Sequence, residues 1–308
     1  NRPHPLSAKL AQVTLKRYVV EDRHRIRLHD LVIEELNRVH EKLTGPLEGG
    51  YGVLYQGAPT SEALANRLTQ YEHLAETLRA LMATGCYWGG EGQHGLWVAC
   101  LERLANLPEL SGYPVWLNLR RYPALLALYA GGIAAVAANR YDTLAALLTQ
   151  GRVRQHGRDA PLLLAVNSYA VLSIDDAQLI PGKERRYLPF NDHLSENAAL
   201  WEPLRELLPM PERFEEAFDR FEYLLGLVHV DLRLQQNGHA WAPVGCFAWR
   251  RRDQPSDPLN VVGEEIATRA AGSPLLQGSL FGGALERAEA AKTAYDELIR
   301  EVRAKRLF

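Results

Sequence analysis

The reading of the fold turns on LKRYVVEDRHRIRLHDLVIEEL, residues 15–36. Between Arg23 and Arg27 arginine occupies every second position. In a strand, whose side chains alternate, Arg23, Arg25 and Arg27 share one face and His24, Ile26 and Leu28 the other. Residues 13–28 are therefore expected as a β-hairpin turning at Glu21 and Asp22. From Leu28 the period changes, and Leu28, Leu31, Val32, Leu36, Val39 and Leu43 fall on one side of a helix. A basic hairpin joined to helices describes a winged helix. Residues 1–45 are accordingly expected to form a partial winged-helix segment.

Outward from this stretch, helical periodicity dominates. Thr60 or Ser61 can cap a helix carrying Leu64, Leu68, Tyr71, Ala75, Leu78 and Met82 and stopping at Gly85. Pro211 opens a second, with Phe214, Phe218, Phe221, Leu225, Val228 and Leu232 on one stripe. Glu216 and Arg220 would form an i,i+4 pair on its surface. A last long helix begins near Gly283 and carries Leu285, Ala288, Tyr295, Leu298 and Val302. The cations of residues 303–306 suit its C-terminal end. Further helices are expected around 95–106, 116–138, 140–150 and 193–208, and loops at 174–191 and 252–258. Residues 240–250 read as an aromatic strand interrupted by Pro243 and Gly245. No self-similarity marks a helical repeat array. The expected fold is mainly α: the partial winged helix, a helical sensor or regulatory domain over 46–308, and a minor aromatic β-strand.

The 308 residues carry a formal net charge of −2, with 47% hydrophobic and 23% charged residues. Low-complexity disorder is excluded, and the chain as a whole has no electrostatic pull toward nucleic acid or anionic membrane. Cys86, Cys100 and Cys246 are sparse, odd in number and without CxxC spacing, which suits reduced thiols in a cytoplasmic protein. Residues 122–139 lack charge, but they are rich in alanine and glycine and flanked by Arg121 and Arg140. A buried helix is expected there rather than a membrane span. The chain begins at Asn1, and its methionines are Met82 and Met210. It is expected to be part of a longer protein.

The opening stretch resembles the winged-helix end of STAND-type signal-transduction NTPases, which carry a Met/Leu-His-Asp motif at the strand-to-helix step. Leu28, His29 and Asp30 match it. The resemblance implies that His29 lies by the β-phosphate of bound ADP and that the motif holds an off state. ATP or ADP would belong to the full-length protein, since no GxxxxGK[ST] occurs in this chain. Read from the residues alone, Asp30 could instead cap the helix while His29 satisfies a local backbone group. A third role is DNA binding, with Arg23, Arg25 and Arg27 on phosphates. With Lys16 and Arg17 counted against Glu21 and Asp22, the hairpin has a local excess of three positive charges. A basic edge also discourages strand pairing. Further on, GCYWGG, VWLNLRRYPALLALYAGGIAAVAANRYDTLAALL and FDRFEYLLGLVHVDLRL resemble a C-terminal helical region of large bacterial multidomain proteins. Such regions follow sirtuin-like, Schlafen-like or NTPase modules in anti-phage defence. The resemblance implies trigger sensing or assembly and carries over no catalytic residue.

Ten histidines invite a metal site, yet no HExxH or His-x3-His occurs, and His229 and Asp231 in one helix face different directions. Cys86 in TGCYWGG (84–90) is a candidate nucleophile or a packed thiol. Asp175-Asp176 and Glu264-Glu265 read as exposed charges, and GSLFGG (278–283) as a loop or a weak phosphate cradle. Two aromatic groups remain, Tyr87, Trp88 and Trp97, and Trp241, Phe247 and Trp249. Either they anchor loops or they form a recognition patch. Arg250, Arg251 and Arg252 directly after Trp249 could contact an acidic partner or a phosphate backbone. The leading expectation is a non-catalytic sensor without metal or cofactor of its own. It would act on an upstream effector or NTPase domain, assemble as a homo-oligomer and answer to a ligand or protein trigger. The alternative is a nucleic-acid-binding or -processing module using the basic wing and the Trp-Arg strand.

Overall fold

The computed structural model describes residues 7–45, 57–155, 157–250, 254–269 and 272–305. The protein is mainly helical, with one two-stranded sheet among the described residues. The front of the chain corrects the hairpin expectation: α1 (Ala8–Val19) and α2 (Arg25–Thr44) are joined by a 3-10 turn at Asp22–His24. Ser7 caps α1 by accepting from Leu10 N at 3.3 Å. Ala11, Leu15 and Val19 form a helical stripe buried against the rest of the molecule, and Leu28, Val32, Leu36, Val39 and Leu43 form another on α2. These stripes on both sides outweigh a short arginine alternation. Ile26, which the strand reading faces inward, is 75% exposed.

α3 (Ser61–Leu74) starts at Thr60, whose hydroxyl accepts from Ala63 N at 3.2 Å, and is followed after Ala75 by α4 (Glu76–Trp88). α5 (His94–Ala105) and α6 (Pro114–Leu119) precede α7 (Tyr122–Ala137). Residues 122–136 of α7 are all buried. It packs along α4 and also meets α3, α5, α8 (Tyr141–Thr149) and α13 (Pro211–Asn237). A helix apolar all round belongs at the centre of a core, and that is where the uncharged stretch lies. No helix among the described residues is long and apolar enough to cross a membrane. A Cβ on Gly132 would come within 2.0 Å of the Phe221 ring, so the glycine lets α13 lie directly on the α7 backbone.

β1 (Arg152–Gln155) and β2 (Arg158–Pro161) pair antiparallel, with Val153 opposite Ala160. The outer edge of β1 is met by side chains of α5 and its C-cap. Glu102 Oε1 accepts from Arg152 N (2.7 Å), Asn106 Oδ1 accepts from Arg154 N (2.8 Å), and Asn106 Nδ2 donates to Arg152 O (3.0 Å). The short helices α9 (Ser168–Val171) and α10 (Ile174–Ala177) lead to α11 (Pro189–Ala198) and α12 (Glu202–Leu207), so the helix expected over 193–208 is two. On α13 the expected stripe is buried from Phe214 to Val228, and Gly238 ends the helix at φ 71°. Arg220 does not pair with Glu216: it reaches Glu265 at 2.6 Å and the Tyr141 hydroxyl at 2.8 Å.

The strand expected over 240–250 is not formed; α14 (Phe247–Arg250) follows an irregular segment. Two of its carbonyls are met by side chains instead of a neighbouring strand. Tyr295 OH donates to Pro243 O (2.7 Å), and His229 Nδ1 lies 3.0 Å from Trp241 O. α15 (Pro258–Arg269), α16 (Pro274–Gln277) and α17 (Leu285–Lys305) complete the chain, the last packed on α13. The buried residues of α1 and α2 share one continuous core with the helices that follow.

Candidate functional site

α13 buries three acids, Asp219, Glu222 and Asp231, and the imidazole of His229. Asp231 is held by the Arg287 guanidinium through bonds of 3.0 and 2.6 Å. His229, besides its contact with Trp241 O, leaves Nε2 without a partner among the described residues, and burial pushes its pKa down to about 4. Asp219 and Glu222 lie where α13 meets α7, α11 and α14. Glu222 Oε1 accepts from Tyr129 OH (3.0 Å) and Asn191 Nδ2 (2.8 Å). Its Oε2 has no hydrogen-bond partner among the described residues, and it lies so close to Gly245 that a Cβ there would be 2.0 Å away. Burial pushes the Glu222 carboxyl up to about 7, with the charge of Asp219 adding to it and the Asn191 and Tyr129 hydrogen bonds opposing it.

Arg250 links this buried pair to the surface. Its Nη1 is 3.7 Å from Asp219 Oδ1, and its Nη2 donates to Ser195 Oγ at 3.2 Å. Beside it the Cys246 thiol donates to Asp192 Oδ1 at 3.1 Å, and burial holds that thiol well above the ordinary range. Arg250, Asp192 and Ser195 form one end of an open cavity of about 1140 Å³. Phe214 and Leu208 supply apolar wall, and Glu202, Glu206 and Lys9 form the opposite rim. At that rim Lys9 Nζ reaches Glu206 at 2.9 Å and Glu202 at 3.3 Å, and Lys16 Nζ reaches Glu206 at 2.5 Å. Hydrogen bonds from Lys16 and then Lys9 hold the Glu206 carboxyl down to about 2. The cavity thus lies at the seam between α1 and the α11–α12–α13 body.

α11 is fixed from its other side by Glu72 of α3. Glu72 Oε1 accepts from Tyr122 OH at 2.8 Å, with His193 Nε2 at 2.7 Å and Asn197 Nδ2 at 3.1 Å. Arg79 stacks over Trp201 just beyond, 4.5 Å from the ring centroid. Asn191, Asp192 and Ser195 therefore face the cavity cluster from a helix that His193 and Asn197 clamp in place.

The residues singled out in the sequence are dispersed. His29 and Asp30 are exposed neighbours on α2, 3.5 Å apart, with side chains 59% and 71% accessible. The N-cap of α2 is His24, so Asp30 is not the cap. Arg23, Arg25 and Arg27 are exposed, and Arg23 pairs with Glu21. Trp249 packs edge-on against Tyr187 at 4.8 Å. Arg250 is committed to the cluster above, while Arg251 and Arg252 lie outside the described residues. Cys86 is within α4, not in a loop, and burial pushes its thiol well above the usual range. Trp97 is buried and Trp88 half exposed. Glu265 pairs with Arg220 instead of facing solvent freely. Among the described residues no three His, Cys, Asp or Glu side chains form a group able to hold a metal ion. Of the cavity cluster, the sequence reading names Arg250 alone. The cluster's sequence signal is two acids, Asp219 and Glu222, lodged in a Phe- and Leu-rich helix, where a buried charge needs partners. Comparison with protein-family models, curated proteins and solved structures finds no match for this chain.

Proposed function

We propose that this chain is a non-catalytic sensor or regulatory module of a bacterial signalling or anti-phage defence protein. It couples binding of a ligand or partner to an effector or NTPase domain joined on the α1 side, in a cytoplasmic, homo-oligomeric protein. The observation that carries this reading is the position of the cavity. The carboxylates on its rim, Glu202 and Glu206, are the ones that hold Lys9 and Lys16 of α1. An occupant that engages them competes with α1, so occupancy and the seating of the first turn of α1 are thermodynamically linked. The buried Ala11, Leu15 and Val19 keep the rest of the helix in place, so the change is a tilt or a loosening of one turn. Recognition fits the cavity better than covalent chemistry: the nearby thiol is held neutral, and the Ser195 hydroxyl faces a guanidinium instead of a base.

The exposed His29–Asp30 pair is available to a nucleotide, ATP or ADP, held by an adjoining domain, which is the role the family resemblance suggests. The remaining winged-helix character would then lie in how α1 and α2 meet that domain. A second reading, nucleic-acid binding, is favoured by the exposure of Arg25 and Arg27 beside Arg23, although Arg250 is occupied within the protein.

The test is hydrogen–deuterium exchange during titration with spermidine, L-arginine, ADP and NAD as separate probes. A probe that protects residues 195–215 is expected to change exchange at residues 7–12 with the same midpoint. Lys9→Ala should shift that midpoint. Protection of the cavity with α1 unchanged would refute the coupling, and salt-steep binding of single- or double-stranded DNA lost in an Arg23/Arg25/Arg27→Gln variant would favour the second reading.

A further inference from the structure

We infer that Glu222 and Arg250 form a proton-dependent latch at the cavity: with Glu222 neutral, Arg250 stays on Ser195 and Asp219, and when Glu222 loses its proton, Arg250 turns inward to it and the 243–250 segment shifts. This deepens the sensor reading by naming what sets the cavity's shape; it depends on that reading for its biological consequence and not for its test.

The geometry around Glu222 is lopsided. One oxygen receives two donors, from Tyr129 and Asn191. The other, wedged against Gly245, receives none from the described residues. A neutral carboxyl tolerates this arrangement better than an anion does, because an ionised buried oxygen without a donor keeps its whole desolvation cost. Ionisation therefore demands a new donor or water. The groups that face Glu222 narrow the choice. From α7 comes Tyr129, already bonded, and from α11 come Asn191, already bonded, and the acid Asp192. Its own helix adds the acid Asp219. Tyr169 of α9 is tied to the backbone of Val244, and Tyr295 of α17 donates to Pro243 O. The irregular segment and α14 supply Cys246, whose thiol points at Asp192, and Arg250, the cation whose charge acts on Glu222.

Arg250 is held where it is by one long charge contact and one hydrogen bond. The 3.7 Å approach to Asp219 is too long for a good hydrogen bond, and the 3.2 Å bond goes to a neutral hydroxyl. A turn toward Glu222 would exchange these for a charge-assisted pair. It would also withdraw the guanidinium from the cavity end and carry the Gly245–Arg250 backbone with it. The proton leaves to solvent, and no other bond changes. Because the switch and the cavity share Arg250, an occupant that favours one position of Arg250 must shift proton binding at Glu222, and the reverse.

The experiment is amide exchange of residues 243–250 in the intact chain from pH 6 to pH 8, divided by the intrinsic base-catalysed rate. It is paired with Trp249 emission taken as the difference from a Trp249→Phe control. In the wild type, protection is expected to fall about tenfold, with a midpoint near 7. Glu222→Gln should hold the low-pH protection throughout. A transition that originates at another group would persist in that variant. Arg250→Gln should remove most of the pH-dependent change in protection, since the side chain that carries the segment toward Glu222 is gone. A transition that survives Glu222→Gln, a wild type whose corrected protection is flat, or a transition of undiminished size in Arg250→Gln would overturn the latch.

Discussion

Replacing Glu222 by glutamine should change the pH dependence of folding in a way that can be worked out beforehand. An ordinary glutamate carboxyl titrates near 4.5, and burial pushes this one up to about 7. The folded protein therefore keeps a proton between those values that the unfolded chain gives up. Stability from this group is complete below 4.5, declines as pH rises through 7 and then levels off. A shift of that size corresponds to about 3 kcal/mol at most, less whatever local rearrangement relieves. His229 acts in the opposite sense. Its folded pKa lies near 4 against 6.5, so its contribution is full above 6.5 and lost as pH falls toward 4, by a similar amount. Between pH 4.5 and 6.5 the two slopes nearly cancel, and the wild-type curve alone would look unremarkably flat there. The difference between Glu222→Gln and wild type removes the histidine. It should be near zero at pH 4.5 and grow to roughly 1–3 kcal/mol in favour of the variant at pH 8. Urea unfolding at 25 °C, followed by far-ultraviolet circular dichroism and by tryptophan fluorescence at each pH, measures it. A difference that is constant with pH, or that grows toward acid, would refute the assignment of a raised carboxyl to this position.

Other consequences are local. Arg287→Ala leaves Asp231, which is 2% exposed, without its counter-ion, and should cost about 3–5 kcal/mol in chemical denaturation. Pairing it with Asp231→Leu should recover much of that loss. Gly132→Ala forces a methyl into the Phe221 ring and should destabilise by about 1–3 kcal/mol, with partial rescue by Phe221→Leu in the same assay. Cys86, Cys100 and Cys246 are all buried free thiols. Under native conditions an aromatic disulfide reagent should therefore label far less than one thiol in minutes and all three on unfolding; prompt labelling of the native chain would contradict the packing.

The helical class was legible because apolar periodicity over a dozen residues is a strong signal. The stripes on α2, α3 and α13 are where the spacing places them, and the alanine- and glycine-rich stretch is the central helix. The front was misread for a physical reason. Arginine alternation from 23 to 27 is a local pattern, whereas the burial of Leu15 and Val19 on one side and Leu28 and Val32 on the other is a tertiary gain. The residues around 240–250 carry the aromatic bias of a strand, but Tyr295 and His229 supply the backbone partners that a ladder would have offered. The cavity cluster was hardly legible at all. Asn191, Asp192 and Ser195 look like ordinary polar residues of a surface helix, and Arg250 looks like the start of a basic run. What brings them to Asp219 and Glu222 is the folding of α11 and α14 over α13, which no local spacing records.

The small sheet has a consequence for assembly. A two-stranded ribbon ordinarily offers both of its outer edges to a neighbouring chain, which makes it a seed for unwanted pairing. Here Glu102 and Asn106 already satisfy the outward amides of Arg152 and Arg154 and the carbonyl of Arg152. They stand in for a third strand that never has to form, and the ribbon is closed on that side to any partner that binds by adding one. Strand addition would have to come from the β2 side, where Arg158 and Asp159 are exposed. Two polar side chains at the end of a helix thus decide from which direction this protein can be extended by another, and Asn106→Ala would be expected to unlock the second.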